Sequence, residues 1–207
     1  MPKASPALAS KRKKEIMNAC RELYKTLNFK EITIKEIANY TSFTRPSIYN
    51  YFQTKEEIFL EVFKEEYDLW SDDLTALIET KTQFTTAELS QQIARSLEKR
   101  TLLLKLLSVN LYDMEETSSL ERLTEFKRSY RRSIEAFKAL LRRHCTSLSD
   151  GDITELTVTF FELMHGIYPY AHVTEKQAKA MDAAGIVRDK KTIYEHTLIG
   201  LERLLGE

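Results

Sequence analysis

Glycine, proline and cysteine are all scarce in this chain. Among its 207 residues there are 5 Gly, 4 Pro and 2 Cys. So few turn-forming residues, and no alternating apolar runs bounded by turn signals, give a β-sheet little to build on. Cys20 and Cys145 lie far apart and lack the spacing of a metal site. We therefore predict an all-α protein with two packed thiols, no metal site and no other cofactor.

The chain also lacks long apolar runs. No segment approaches the roughly 18 uninterrupted apolar residues of a membrane helix, and the N-terminal sequence MPKASPALASKRKK has no apolar stretch after its charges. These absences argue against a membrane span and a signal peptide, and they predict a cytoplasmic protein. With 43% apolar and 30% charged residues, the chain can form one sizeable core or a small module joined to a larger one.

The formal net charge is zero, but the charges are unevenly distributed. Through residue 57 there are eleven Lys or Arg residues and six acidic ones, a net charge of +5, so the remainder carries −5. A basic front module attached to an acidic body suits a protein that binds nucleic acid at one end. Ordinary solvated faces also produce asymmetry of this size.

Capping boxes predict where helices begin. In this motif a Ser or Thr caps the first turn, and a Glu or Gln three residues later reaches back to the cap. Six occur, at Thr33/Glu36, Thr54/Glu57, Thr85/Glu88, Ser118/Glu121, Thr174/Gln177 and Thr192/Glu195. With the apolar periodicity they predict nine helices, at residues 11–26, 34–39, 45–52, 55–79, 87–107, 120–145, 152–168, 175–184 and 193–205.

The two short helices at 34–39 and 45–52 have the composition of a helix-turn-helix, in which the second helix enters the major groove of DNA. Ile16 in helix 11–26 and Ile37 in helix 34–39 lie on apolar faces of helical spacing, and Ile48 and Phe52, four residues apart, anchor helix 45–52 in the core. Other residues point outward. Of these, Arg45 can direct two donors to guanine, Asn50 can pair with adenine, and Pro46 offers an apolar surface for a thymine methyl group.

A second set of side chains can hold phosphates without reading sequence. It consists of Ser47, Tyr49, Tyr51 and Lys55, and Lys35 could serve either role. The alternative is a plain helical hairpin, in which the tyrosines pack and Arg45 and Lys55 are solvated surface charges.

The segment ITIKEIANYTSFTRPSIYNYFQTKEEIF resembles the DNA-binding domain of the tetracycline-repressor (TetR/AcrR) family of bacterial transcription regulators, over about residues 13–63. The resemblance implies a homodimer with two helix-turn-helix heads, usually a repressor released from its operator by a small molecule. It matches Tyr49 and Lys55 to phosphate contacts, Arg45, Pro46 and Asn50 to variable base-reading positions, and Lys35 and Tyr51 to further frequent DNA contacts. Asn28 and Ser42 stand where the family usually has Gly. We expect the turn at Ser42 to relax or to form a local hydrogen bond.

We predict three regions: a flexible basic arm at 1–10, the DNA-binding domain at 11–60, and a helical effector-binding and dimerisation domain at 61–207. The long helix from Lys55 is expected to join the DNA-binding domain to the effector-binding domain. Helices 152–168 and 193–205 are the predicted dimer interface, with Leu198, Leu201, Leu204 and Leu205 as an apolar edge.

An effector pocket is predicted only from aromatic, Met, Asn and His side chains that could line a cavity between helices. The candidates are Tyr67, Trp70, Asn110, Tyr112, Phe126, Tyr130, Phe137, Met164, His165 and Tyr168. Such stripes are more often ordinary core residues.

The chain contains no Gly-rich phosphate loop, metal-ligand cluster or nucleophile elbow, so we do not predict an enzyme. The sequence predicts a sequence-specific DNA-binding regulator, homodimeric and released from a pseudopalindromic operator by a small molecule. The alternative is a DNA-binding regulator controlled by a protein partner, or by oxidation of Cys20 or Cys145.

Overall fold

The computed structural model describes residues 5–80, 83–108, 111–188 and 190–206, with the backbone alone for Leu111 and Asp113. Within these ranges every regular element is a helix, which confirms the predicted all-α fold. The ranges contain eleven helices: α1 Pro6–Thr26, α2 Ile34–Asn39, α3 Arg45–Ile48, α4 Lys55–Glu79, α5 Thr86–Glu98, α6 Thr101–Leu107, α7 Leu111–Thr117, α8 Leu120–His144, α9 Asp150–Ala171, α10 Glu175–Ala183 and α11 Ile193–Leu205. None of them is both long and apolar enough to cross a membrane, as far as the chain is described.

Capping side chains explain most of the helix starts. Complete capping boxes form at Thr85, Thr174 and Thr192, as predicted. The predicted box at Ser118 is wrong, because the Ser118 hydroxyl donates to the Met114 carbonyl at 2.6 Å and Ser119 accepts the amide of Arg122 at 3.4 Å instead. A further box forms at Ser149, where Asp152 takes the place of the usual Glu or Gln.

Several helix boundaries differ from the predicted ones. The first helix begins at Pro6 rather than at residue 11, because the Ser5 hydroxyl accepts the amide of Leu8 and Pro6 suits the first turn. Residues 6–10 of the predicted arm are therefore helical. The predicted helix 87–107 is divided into α5 and α6 at Arg100, whose φ and ψ are −105° and 41°. Its guanidinium donates to the Asp73 carboxylate at 2.7 Å.

Three other helices depart from the predicted ranges. The third ends at Ile48 rather than at residue 52, since the chain continues as a turn in which the Tyr51 amide donates to the Ile48 carbonyl at 2.8 Å. Helix α7 was not predicted, and α9 extends past Pro169 to Ala171.

The chain divides into two compact units. Unit 1 comprises residues 1–65 and 110–128, and unit 2 comprises residues 66–109 and 129–207. Helices α4 and α8 therefore contribute residues to both units. In unit 1, Ile16, Ile37, Ile48 and Phe52 are fully buried, which confirms the predicted anchors of the first three helices. The ring of Phe59 completes this core by edge contacts to other aromatic rings.

Unit 2 has its own core. Helix α11 packs on α5 and α9, and α6 packs on α9. The Trp70 indole is fully buried, and its N–H donates to the Ser96 hydroxyl at 3.0 Å, which ties α4 to α5. Helices α9 and α11 come close at Gly200, where an added Cβ would lie 2.3 Å from Cδ2 of Leu163.

Candidate nucleic-acid interface

Helices α2 and α3 form a helix-turn-helix, and residues next to each helix determine where that helix begins. Thr33 caps α2 by accepting the amide of Glu36 at 3.3 Å. At the start of α3, Pro46 occupies a first-turn position, where the backbone N–H has no intrahelical partner to lose. Ile37 from α2 and Ile48 from α3 are both fully buried. These anchors fix which sides of the two short helices face outward.

The turn between α2 and α3 is held by α1. The Glu15 carboxylate accepts the backbone N–H of Ser42. This hydrogen bond, with a smaller contribution from the Ser42 hydroxyl, lowers the pKa of Glu15 below its usual value. The Thr41 hydroxyl lies 3.0 Å from the carbonyl oxygens of Ala38 and Phe43. This bond is not the expected local one, because the donor is the Ser42 backbone and the acceptor lies 27 residues away in the sequence.

The predicted base-reading residues lie on α3 and in the turn that follows it. Arg45, Pro46 and Asn50 are exposed, whereas Ile48 between them is buried. The Arg45 guanidinium donates to the Tyr49 hydroxyl at 3.0 Å and lies 5.8 Å from the centre of the Tyr49 ring. All three side chains are therefore accessible, and their common role in base reading stays a prediction.

The predicted phosphate-binding residues are more varied in their surroundings. Lys35 and Tyr49 are exposed, and Ser47 and Tyr51 are half-buried. Lys55 is also half-buried, because its ammonium group donates to the Phe29 carbonyl at 2.7 Å and lies 4.4 Å from the centre of the Phe29 ring. An ammonium group has three donors, so this contact leaves capacity for a phosphate.

One charged side chain near α3 was missed by the sequence reasoning. Arg122, in the first turn of α8, donates to the carbonyl of Tyr51, and its Nε lies 3.3 Å from Oε2 of Glu57. Its guanidinium carbon also lies 4.8 Å from the centre of the Phe52 ring. The partners are about 65 to 71 residues away in sequence, so no local pattern could have indicated the contact.

The predicted pocket residues differ in their surroundings. Tyr67, Trp70, Phe137 and Met164 are buried core residues of unit 2. Phe137, for example, stacks on Phe160 with ring centres 4.8 Å apart. Such packing is typical of core residues, so the assignment of these four side chains to an effector pocket stays a prediction.

Other candidates lie elsewhere. Tyr112 is 86% exposed, and Phe126 packs on Phe63 in unit 1 with ring centres 4.9 Å apart. Tyr168 stacks on His172 at 4.3 Å, and burial raises its pKa. Asn110 lies outside the described residues.

The Tyr130 ring packs on the Tyr67 ring with centres 5.3 Å apart, and Tyr130 and His165 line a common groove. They belong to a surface groove of about 300 Å³ between α8 and α9. It is lined by Tyr130, Ile134, Lys138, Thr157, Val158, Phe161, Glu162 and His165. An aromatic floor with Lys, Glu and His at its edges can bind a small molecule that has both apolar and charged parts.

Cys20 and Cys145 are both buried, and burial strongly raises the pKa of the Cys20 thiol. A protonated thiol in an apolar core is a poor nucleophile and reacts slowly with oxidants. Among the described residues, no group of three or more His, Cys, Asp or Glu side chains is arranged to hold a metal ion.

Helices α2 and α3 define a class, the helix-turn-helix DNA-binding proteins. Comparison with models of known protein families identifies the family within this class. Residues 16–62 match the model described as bacterial regulatory proteins, tetR family, and residues 64–191 match the tetracyclin repressor-like C-terminal domain. The chain belongs to the TetR family of transcription regulators, whose members are not enzymes. This confirms the resemblance inferred from the sequence.

Solved structures have the same fold. A TetR/AcrR-family regulator from Thermobifida fusca is 19% identical, with a TM-score of 0.64 over 94% of this chain and 97% of its own. FadR from Bacillus subtilis, solved in complex with stearoyl-CoA, is 18% identical, with a TM-score of 0.60 over 93% and 97%. FadR from Bacillus halodurans is 13% identical, with a TM-score of 0.63 over 99% and 97%. Among curated proteins, no significant match was found.

Proposed function

We propose that this protein is a homodimeric, ligand-responsive repressor in the cytoplasm of a bacterium. Its reader, residues 11–60, binds a pseudopalindromic operator, and residues 61–207 provide effector binding and dimerisation. The observation that carries this proposal is the exposed Arg45, Pro46 and Asn50 surface, fixed by the buried side chains of Ile48 and Phe52.

In the proposed complex the residues have distinct roles. Arg45 forks onto a guanine, Asn50 pairs with an adenine and Pro46 contacts a thymine methyl group. The Arg45 guanidinium has five N–H donors, so its hydrogen bond to the Tyr49 hydroxyl leaves donors for the guanine. The Tyr49 hydroxyl accepts in this bond and can still donate to a phosphate. The positions of Lys35, Ser47, Tyr51 and Lys55 suit further backbone contacts.

The proposed dimer surface lies on α9 and α11, but it does not include Leu201, one of the four leucines predicted for it. Leu201 is fully buried within a single chain, so it belongs to the core of unit 2 and not to an interface. Val158 and Leu163 on α9 and Ile199 on α11 are 54%, 37% and 40% exposed. Exposed aliphatic side chains on two packed helices favour association with a second copy.

A small-molecule effector is favoured over control by cysteine oxidation, because both thiols are buried. The groove between α8 and α9 is the candidate site, with Tyr130 and His165 as the supported contacts. FadR from Bacillus subtilis was solved with stearoyl-CoA, so acyl-CoA thioesters belong in the first effector panel. Release of DNA requires that the effector bind more tightly to a state in which the two heads do not fit adjacent half-sites, about 34–36 Å apart.

The test begins with selection of bound sequences from random double-stranded DNA, using the purified full chain. The proposal expects an enriched pseudopalindrome with half-sites one helical turn apart. Effectors are then sought by thermal shift across a metabolite panel, and each hit is added to the protein bound to the selected site. Dissociation supports a ligand-released repressor. Enrichment of a site that no metabolite releases favours a protein partner, and failure to enrich any sequence contradicts the DNA-reading role.

A further inference from the structure

Arg122 lies at the place where the recognition helix ends. It belongs to the part of α8 that is in unit 1, and its side chain is 21% exposed. Its guanidinium contacts the Tyr51 carbonyl, the Phe52 ring and the Glu57 carboxylate, and its Nη1 lies 3.9 Å from Oε2 of Glu61 on α4. Arg122 thus spans the whole connection between α3 and α4.

The backbone groups at this connection need partners from elsewhere. The last carbonyls of a helix and the first amides of the next one lack intrahelical partners. Here the Tyr51 carbonyl accepts from Arg122, and the Gln53 amide donates to Oε2 of Glu57 at 2.8 Å. The ion pair between Arg122 and Glu57 connects these two bonds, so both sides of the connection are held by one charged pair.

This pair is also shielded from water. The Glu57 side chain is only 6% exposed, and its Oε2 serves both Gln53 and Arg122. A guanidinium can donate to a carbonyl and to a carboxylate at the same time, because its donors form a planar fork. A shorter or uncharged side chain at position 122 would leave the buried Glu57 carboxylate without its cation.

We propose that Arg122 is a positioning residue of the DNA reader: it fixes the exit of the recognition helix, and thereby the direction in which Arg45, Pro46 and Asn50 face the bases. Tyr51 follows directly after Asn50, so the contact acts one residue from the reading face. The inference rests on the proposed DNA-reading function. It adds a residue that lies outside the helix-turn-helix and does not contact bases itself.

The first test compares Arg122→Ala with Arg128→Ala, a charge-matched control at an exposed position of the same helix. Affinity is measured for the selected site and for unrelated DNA over a range of salt concentrations. Arg122→Ala should weaken the selected complex about tenfold, the loss expected for a charge-assisted bond. It should leave binding to unrelated DNA and its salt slope unchanged, since no phosphate contact is removed. The control should bind both DNAs like the wild type.

Hydrogen exchange without DNA separates this inference from the proposed function. Arg122→Ala should accelerate exchange of the Tyr51, Phe52 and Gln53 amides by about tenfold, while amides of α5 remain protected. Wild-type exchange at these amides overturns the inference even if no operator is ever found. Equal losses on selected and unrelated DNA also overturn it, because they indicate a phosphate contact or general unfolding.

A double variant covers the case in which Arg122→Ala does not fold. Arg122→Met with Glu57→Gln removes the buried charge together with its cation, retains an apolar stem against Phe52 and leaves an acceptor for the Gln53 amide. We expect a thermal midpoint close to that of the wild type with a selected-site affinity still lowered about tenfold, since the Tyr51 carbonyl has lost its donor. A folded double variant with wild-type affinity overturns the proposal.

Discussion

The hydrogen bond from Ser42 to Glu15 predicts a pH-dependent reader. In Glu15→Gln the charged acceptor of the Ser42 amide becomes a neutral one. A hydrogen bond to a charged group contributes about 1.5–3 kcal/mol when it is buried. Because Glu15 is partly exposed, solvent screening reduces the stabilisation lost in Glu15→Gln to about 0.5–1 kcal/mol. This corresponds to about two- to fivefold less protection of the Ser42 amide from hydrogen exchange at pH 7.

The sign of the pH dependence follows from the lowered pKa of Glu15. Its usual value is 4.5, and in the folded chain it is lower, chiefly because the Ser42 amide donates to the carboxylate. The stabilisation is therefore fully present above pH 4.5 and is lost as the pH falls through the folded pKa. Wild type and Glu15→Gln should differ at pH 7 and converge in acid.

The assay is amide exchange of Ser42 by NMR, with wild type and variant compared at each pH. Glu22→Gln is the control, because Glu22 lies on the same helix and pairs with Lys25 at 2.7 Å on the surface. It should leave Ser42 unchanged. A difference between Glu15→Gln and wild type that persists unaltered in acid, or an equal effect of the control, would refute the assignment of Glu15 as the anchor of the turn.

Three further predictions concern DNA and the dimer. Arg45→Ala should weaken binding to the selected site by about 1–3 kcal/mol and relax one base position; an unchanged consensus in repeated selection excludes base reading by Arg45. Lys55→Ala should weaken binding to all DNA, lower the salt slope by about one and destabilise unit 1 by about 1 kcal/mol through loss of the Phe29 contact; Lys30→Ala is the exposed control, and an unaltered slope shows that Lys55 does not contact phosphate. Leu201→Glu should destabilise the fold by about 3–5 kcal/mol, whereas Ile199→Glu should leave folding intact and dissociate the dimer in sedimentation; a dimeric Ile199→Glu variant contradicts the α9 and α11 interface.

Sequence patterns predicted the parts of the fold that depend on local chemistry. Ile37, Ile48 and Phe52 were assigned to the core from helical spacing, and all three are fully buried. The boxes at Thr85, Thr174 and Thr192 were assigned from residues three positions apart. These features involve neighbours within one or two turns, so a single sequence contains the information needed to find them.

The misassigned features depend on contacts between distant segments. The break between α5 and α6 has no Gly or Pro, and Arg100 at the break is bonded to Asp73, 27 residues earlier. Leu201 was assigned to an interface because an apolar residue on a helix looks the same whether a neighbouring helix or a second chain covers it. For the same reason the sequence alone does not decide whether Phe137 and Met164 are core residues or line a pocket.

The length of the reading helices explains why distant charges matter in this reader. Helix α2 has six residues and α3 has four, well below the roughly 12–15 residues at which an isolated helix becomes marginally stable in water. Their buried side chains hold them in the core, but Ile48 and Phe52 fix only the inner side of α3. The turn before α3 is bonded to Glu15 on α1, and the connection after it to Arg122 on α8. Because both bonds join the recognition helix to longer helices, the direction of the exposed Arg45 and Asn50 side chains is set by residues outside the helix-turn-helix itself.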